Sequence, residues 1–229
     1  MQIYANIEEH KQLLEISIKR ELNVEGIFEW ISPLSNYKYK EYSGGFLESL
    51  GLRHLKESYK DFWPLRTAHW DALAKIDDGT ILLFESKSHT GELKSRCRAN
   101  DSSINQIKKS LKGTYDWLKN GQNQFNEHAW LNKYYQFANR LAHLYYFRGQ
   151  KHMNNIWLVN IYFENDFSLN MNSNSNKYKT ADRSEWEKEL NIIKEEMGLI
   201  NTDMRKYGLI ELFLKSSDIK GRENLPLKR

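Results

Sequence analysis

The chain has 229 residues, enough to bury a substantial core within a single domain. It is 40% apolar and 13% aromatic, and its net charge of +4 (pI about 8.9) suits a polyanionic partner without specifying one. A single cysteine, Cys97, excludes an internal disulfide framework and suits the reducing cytoplasm. No apolar run reaches the roughly 18 residues of a membrane span. Acids stand near the N-terminus where a signal peptide carries its apolar core, so a cytoplasmic protein with no membrane contact is expected.

Taken in order, residues 6–22 read as a helix capped by Asn6, with Ile7, Leu13, Leu14, Ile16 and Ile18 near helical spacing. Residues 23–43 suggest a short strand and loop. Gly44-Gly45 precedes a second helix, from Phe46 to about Tyr59. After a hairpin (below) and a turn at 89–93, residues 94–112 hold Lys94, Arg96, Arg98, Lys108, Lys109 and Lys112 against one Asp. A helix from about Ser102 to Asn120 carries the stripe Ile104, Ile107, Leu111, Tyr115 and Leu118. Ala129–Phe147 reads as a buried helix ended by Gly149, on which Gln136, Asn139, Arg140 and His143 form one polar stripe that is either structural or faces a cleft. Asn155–Glu164 is a buried strand and Asn170–Asn176 a polar loop. Asp182 or Ser184 begins a helix through Met197, and residues 208–215 are a last strand. The expected fold class is α/β: a three-layer α/β/α sandwich over a mixed central sheet. We expect one domain with its core at about 46–164, additions at 6–22 and 182–215, and a flexible tail at 216–229.

The hairpin, 69–87, organises the rest. Asp77-Asp78-Gly79 is turn chemistry, and a three-residue loop there sets Ile76 opposite Thr80, Ala74 opposite Leu82 and Asp71 opposite Glu85. Period-2 alternation then gathers Asp71, Glu85 and Lys87 on one face with Leu73, Ile81 and Leu83, leaving Ala72, Ala74, Ile76, Leu82 and Phe84 on the other. A two-residue loop would put Asp71 on the opposite face. Apolar residues on both faces imply strands covered on both sides. Two carboxylates on such strands repel unless cations join them; Lys87 offsets one charge, and a divalent metal would offset the rest. An ordinary salt bridge at the hairpin end is the alternative.

Helix, then a hairpin bearing Asp followed by Glu-x-Lys, then helix and strand, resembles the core of the PD-(D/E)XK, restriction-endonuclease-like nuclease superfamily. The likeness covers about residues 46–164. The Pro that usually precedes the first acid is replaced by Trp70. Trp-Asp-Ala at 70–72, Glu-x-Lys-x-His-x-Gly-Glu-Leu at 85–93, Tyr-Gln-x-Ala-Asn-Arg-Leu-Ala at 135–142 and Glu-Trp at 185–186 are also similar to blocks in a group of bacterial proteins without an assigned activity.

The resemblance implies a restriction-endonuclease-like core and a metal-dependent nuclease acting on nucleic acid, with DNA as substrate. Asp71, Glu85 and the carbonyl of Ser86 would bind Mg²⁺, with Mn²⁺ as a substitute, and Glu48 would add an acid from the preceding helix. Lys87 would orient the attacking water and steady the charge developing on the phosphate. His89, Gln106, Gln136, Asn139 and Arg140 would be auxiliary, and the six basic residues of 94–112 would contact the nucleic acid. Specificity would come from loops, a homodimer or a partner. The competing expectation is a nucleic-acid-binding or scaffold protein that keeps the fold without hydrolysis. The chain has no G-x-S-x-G, glycine-rich phosphate loop, H-E-x-x-H or cysteine cluster that would indicate a different hydrolase.

Overall fold

The structure is a computed structural model that describes residues 8–33, 45–64, 69–118, 124–166 and 180–215. The chain is α/β. Its helices are α1 (Glu8–Leu22), α2 (Phe46–Ser49), α3 (Lys56–Phe62), α4 (Asp101–Leu118), α5 (Tyr135–Leu144) and α6 (Arg183–Glu196). Its strands are β1 (Phe28–Ser32), β2 (Ala72–Ile76), β3 (Ile81–Lys87), β4 (Ile156–Glu164) and β5 (Leu209–Lys215), which form one open mixed sheet in sequence order. β1, β2 and β3 are antiparallel neighbours, whereas β4 lies parallel to β3 and β5 parallel to β4.

The hairpin turns through the three-residue loop. The Ile76 amide donates to the Thr80 carbonyl at 2.8 Å, and Gly79 sits at φ 91°, a left-handed conformation that costs glycine little. Ala74 pairs with Leu82 and Ala72 with Phe84. Ala72, Ala74, Ile76, Leu82 and Phe84 pack against Leu14 and Ile18 of α1. Leu73, Ile81 and Leu83 join the larger core on the other face, with Trp70, Trp130, Leu141 and Trp186. Both faces of the hairpin are therefore covered, which keeps water from the strand that carries the charged residues.

Two helices differ from expectation. The run from Phe46 does not continue to Tyr59, because Gly51 (φ 73°) stops α2. The Gly51 amide donates to the Glu48 carbonyl at 3.0 Å and the Leu52 amide to the Leu47 carbonyl at 2.6 Å, a Schellman closure. The chain restarts through a 3₁₀ turn (Arg53–Leu55) into α3. The 129–147 helix is likewise interrupted, with π-helical turns at Ala129–Lys133 and Tyr145–Gln150 flanking α5. Here the segment after the hairpin intervenes. The Ser95 amide donates to the Lys133 carbonyl at 2.8 Å, the Tyr135 amide donates to the Ser95 carbonyl at 3.1 Å, and the Ser95 hydroxyl accepts from the Gln136 amide at 2.7 Å. Ser95 thus caps α5 from outside.

α4 starts at Asp101, one residue before the expected start at Ser102, with the Asn100 carbonyl accepting from the amides of Ser103 and Ile104 at 3.0 Å. Asp182 is the cap of α6 and forms a capping box with Glu185. Asn6, residues 34–44, the expected helix end at Asn120, Asn170–Asn176 and the tail 216–229 lie outside the described residues. Among the described residues, no helix is long and apolar enough to cross a membrane.

Candidate active site

β3 leaves the covered part of the sheet at its C-terminal end, and there Glu85, Ser86 and Lys87 enter a cleft of about 1410 Å³. Asp71 comes from the approach to β2, Gln136, Asn139 and Arg140 from α5, and Lys94, Arg98 and Ser103 from the segment leading into α4 and its first turn.

Glu85 is only 5% exposed, and both of its oxygens are engaged. Oε1 accepts from the Lys87 ammonium and from Gln136 Nε2 at 2.6 Å, while Oε2 accepts from Arg140 Nε at 2.7 Å. Burial alone would push this carboxyl up. The Arg140 guanidinium and the Lys87 ammonium outweigh that effect and hold it below the usual carboxylate range. Arg140, also 5% exposed, is itself fixed on several sides: Nη2 donates to the His69 carbonyl at 2.6 Å, Nη1 donates to Asn139 Oδ1 at 3.3 Å, and the guanidinium lies 4.7 Å from the Trp70 ring centroid. Gln136 and Arg140 reach one carboxylate because residues four apart share a helix face.

Asp71 is held differently. Its Oδ2 accepts from both the amide and the hydroxyl of Ser86, each at 2.7 Å, and Oδ1 takes no hydrogen bond from any described residue. Glu92 also lines the cleft and pairs with His89 Nε2 at 3.2 Å. Burial raises the Glu92 carboxyl, Lys87 and His89 counteract that in part, and the charge of Asp71 adds to the rise. Three carboxylates thus meet two fixed cations, Lys87 and Arg140. The residues that could take one hard cation are Asp71 and Glu85. Asp71 Oδ1 is open, Glu85 Oε2 keeps a lone pair beyond its single hydrogen bond, and both residues line the same cleft. Such an ion would rest on two carboxylates and water, since no group of three His, Cys, Asp or Glu placed to hold a metal occurs among the described residues.

Other expected residues fall elsewhere. Glu48 is not in the cleft; it forms a surface ion pair with Lys56 at 2.9 Å, whose hydrogen bond lowers its pKa. Glu48 lies within α2, and its carboxylate turns to Lys56 at the start of α3 instead. Gln106 Nε2 donates to the Lys60 carbonyl at 2.6 Å and ties α4 to α3 instead of facing the cleft. His89 is drawn toward Glu92 by the turn at Thr90–Leu93. The basic stretch divides. Lys94 and Arg98 line the cleft, and Arg96 is exposed beside them without lining it. Ser103 and Ile107 are the cleft-facing positions of α4. At about 100° per residue, Lys108, Lys109 and Lys112 lie about 100°, 200° and 140° round the helix from Ile107. Lys108 pairs with Glu127 at 2.7 Å and Lys112 with Asp116 at 2.5 Å.

The structure brings in residues the sequence reading left without a role: Glu92, His69, Tyr135 and Asn100 line the cleft. Glu92 stands within the Glu-x-Lys-x-His-x-Gly-Glu-Leu block, which was its only signal. His143, on the polar stripe, does not reach the cleft. It is fully buried, its Nδ1–H donating to the Asn139 carbonyl at 2.8 Å and its Nε2 accepting from the Tyr59 hydroxyl at 2.6 Å. Burial, set against that backbone bond, lowers its pKa to about 3.

Comparison with known proteins returns no matching family model, no matching curated protein and no matching solved structure.

Proposed function

We propose that this chain is a metal-dependent nuclease that hydrolyses phosphodiester bonds, with DNA as its substrate, on a restriction-endonuclease-like core. The observation that carries this reading is the Glu85–Lys87–Arg140–Gln136 cluster at the buried end of an open cleft that Asp71 shares and that Lys94 and Arg98 border. An antiparallel hairpin followed by a helix and a strand parallel to its second arm supports the core assignment.

Asp71 and Glu85 would hold Mg²⁺, which when bound polarises a phosphoryl oxygen and acidifies water. Arg140 and Gln136 keep the Glu85 carboxylate ionised and oriented. Lys87 donates hydrogen bonds from Nζ toward the attacking water and the non-bridging phosphate oxygens, where negative charge grows. The water oxygen forms a new bond to phosphorus as the bond to the leaving sugar oxygen breaks. One proton leaves the water, and the leaving oxygen gains one. Lys94 and Arg98 hold the flanking phosphates.

A second reading, binding without hydrolysis, draws on one observation: Lys87 is already paired with Glu85. A plasmid-nicking assay with Mg²⁺ separates the two. Cleavage that disappears in chelator and in Lys87→Ala supports the nuclease, whereas binding without cleavage by the wild type supports the scaffold.

A further inference from the structure

A cavity of about 20 Å³ adjoins the cluster, lined by Glu85, Lys87, Gln136, Arg140, Asn160 and Tyr162, among others. A single water needs roughly 10–15 Å³ of such space and two to four polar partners. Asn160 sits directly across the parallel ladder from Glu85, and Tyr162 across from Lys87. Both are buried, Asn160 at 3% and Tyr162 at 2% exposure. Asn160 Nδ2 donates to the Tyr162 hydroxyl at 3.2 Å, while Asn160 Oδ1 has no partner among the described residues. Turning the amide over exchanges the two atoms and still leaves one polar atom unpaired. Leaving it so forfeits a hydrogen bond that the atom would make in water.

We propose that this cavity is a binding site for one structural water, through which Asn160 and Tyr162 on β4 position the Glu85–Lys87 pair. The water donates to Asn160 Oδ1 and to the Gln136 side-chain oxygen, and accepts from the Tyr162 hydroxyl, whose own proton has no other acceptor among the described residues. It braces Glu85 through Gln136, whose Nε2 donates to Glu85 Oε1, and leaves the free lone pair of Oε2 to the cleft. Asn160 and Tyr162 are positioning residues, since neither lines the cleft where substrate would lie. The positioning role rests on the nuclease reading; the water site does not.

The test has two arms. In a crystal structure of the wild-type chain at a resolution that shows ordered solvent, a water is expected within hydrogen-bond distance of both Asn160 and Gln136; a dry cavity overturns the site. In the second arm, Asn160→Leu fills the space with an apolar group of similar size and Asn160→Ser keeps a polar atom with room for solvent. Nicking of plasmid DNA with Mg²⁺ should show kcat about tenfold lower in Asn160→Leu with KM little changed, and largely restored in Asn160→Ser, in line with the roughly 10–100-fold effects of outer supporting groups. Equal kcat in the wild type and Asn160→Leu, or a loss in KM alone, overturns the positioning role. If the wild type does not cleave at all, the nuclease reading fails while the crystallographic arm still decides the water.

Discussion

Three side chains carry different burdens in the cluster, and substitution should separate them. Arg140→Ala leaves Glu85 buried with one oxygen unpaired, a change that costs about 3–5 kcal/mol when a buried ion pair loses one partner. Chemical denaturation should show that loss. Asp71→Ala should leave the midpoint nearly unmoved, because Asp71 is only partly buried and its side chain bonds only Ser86. A large destabilisation would make Asp71 structural. His143 supplies a pH signature of its own. Its folded pKa of about 3 lies below the unfolded value of about 6.5, so between those values the unfolded chain holds a proton that the native chain lacks. Stability should therefore fall as pH drops, by about 2 kcal/mol between pH 7 and pH 5, where carboxylates still contribute little. Urea midpoints at the two pH values check this, with His143→Gln as the variant expected to flatten the slope.

At the level of elements, much of the site was legible and the exceptions have particular causes. The Asp-Asp-Gly turn set the hairpin register, and alternation then gave the two faces correctly because both faces are covered. Asn160 was visible as one polar residue inside an otherwise apolar strand, a signal the sequence reading did not use. Glu48 sits on α2 but pairs with Lys56, a contact that periodicity does not encode; Gly51 ends that helix inside an apparently helical stretch, and Gly51→Ala should cost about 1–2 kcal/mol for forcing a β-carbon into the left-handed region. The lysines of α4 were grouped with the cleft by proximity in sequence. Yet the expected stripe of Ile107, Leu111, Tyr115 and Leu118, which the structure buries, already turns residues 108, 109 and 112 away. Lys94→Ala with Arg98→Ala should weaken DNA binding and reduce the slope of log affinity against log salt by about 2, near 0.9 per phosphate contact. Lys108→Ala with Lys112→Ala should change neither, as fluorescence-anisotropy titrations over a range of salt would reveal.

Across the whole molecule, the sheet acts as a wall with α1 on one side and the larger helical core on the other, and the chemistry gathers where β3 emerges from that cover. The long-range ties that finish the site were beyond reach of sequence periodicity. Ser95 capping α5 and Arg140 bridging Glu85 and the His69 carbonyl join segments tens of residues apart, and nothing local encodes them. We propose that this arrangement hydrolyses a phosphodiester bond. Incubating purified chain with supercoiled plasmid DNA and Mg²⁺, beside Glu85→Gln and Asp71→Ala, tests it most directly. Nicked or linear product is expected from the wild type, none from either variant, and none in chelator; intact plasmid from the wild type, or equal cleavage by all three, would overturn the nuclease reading.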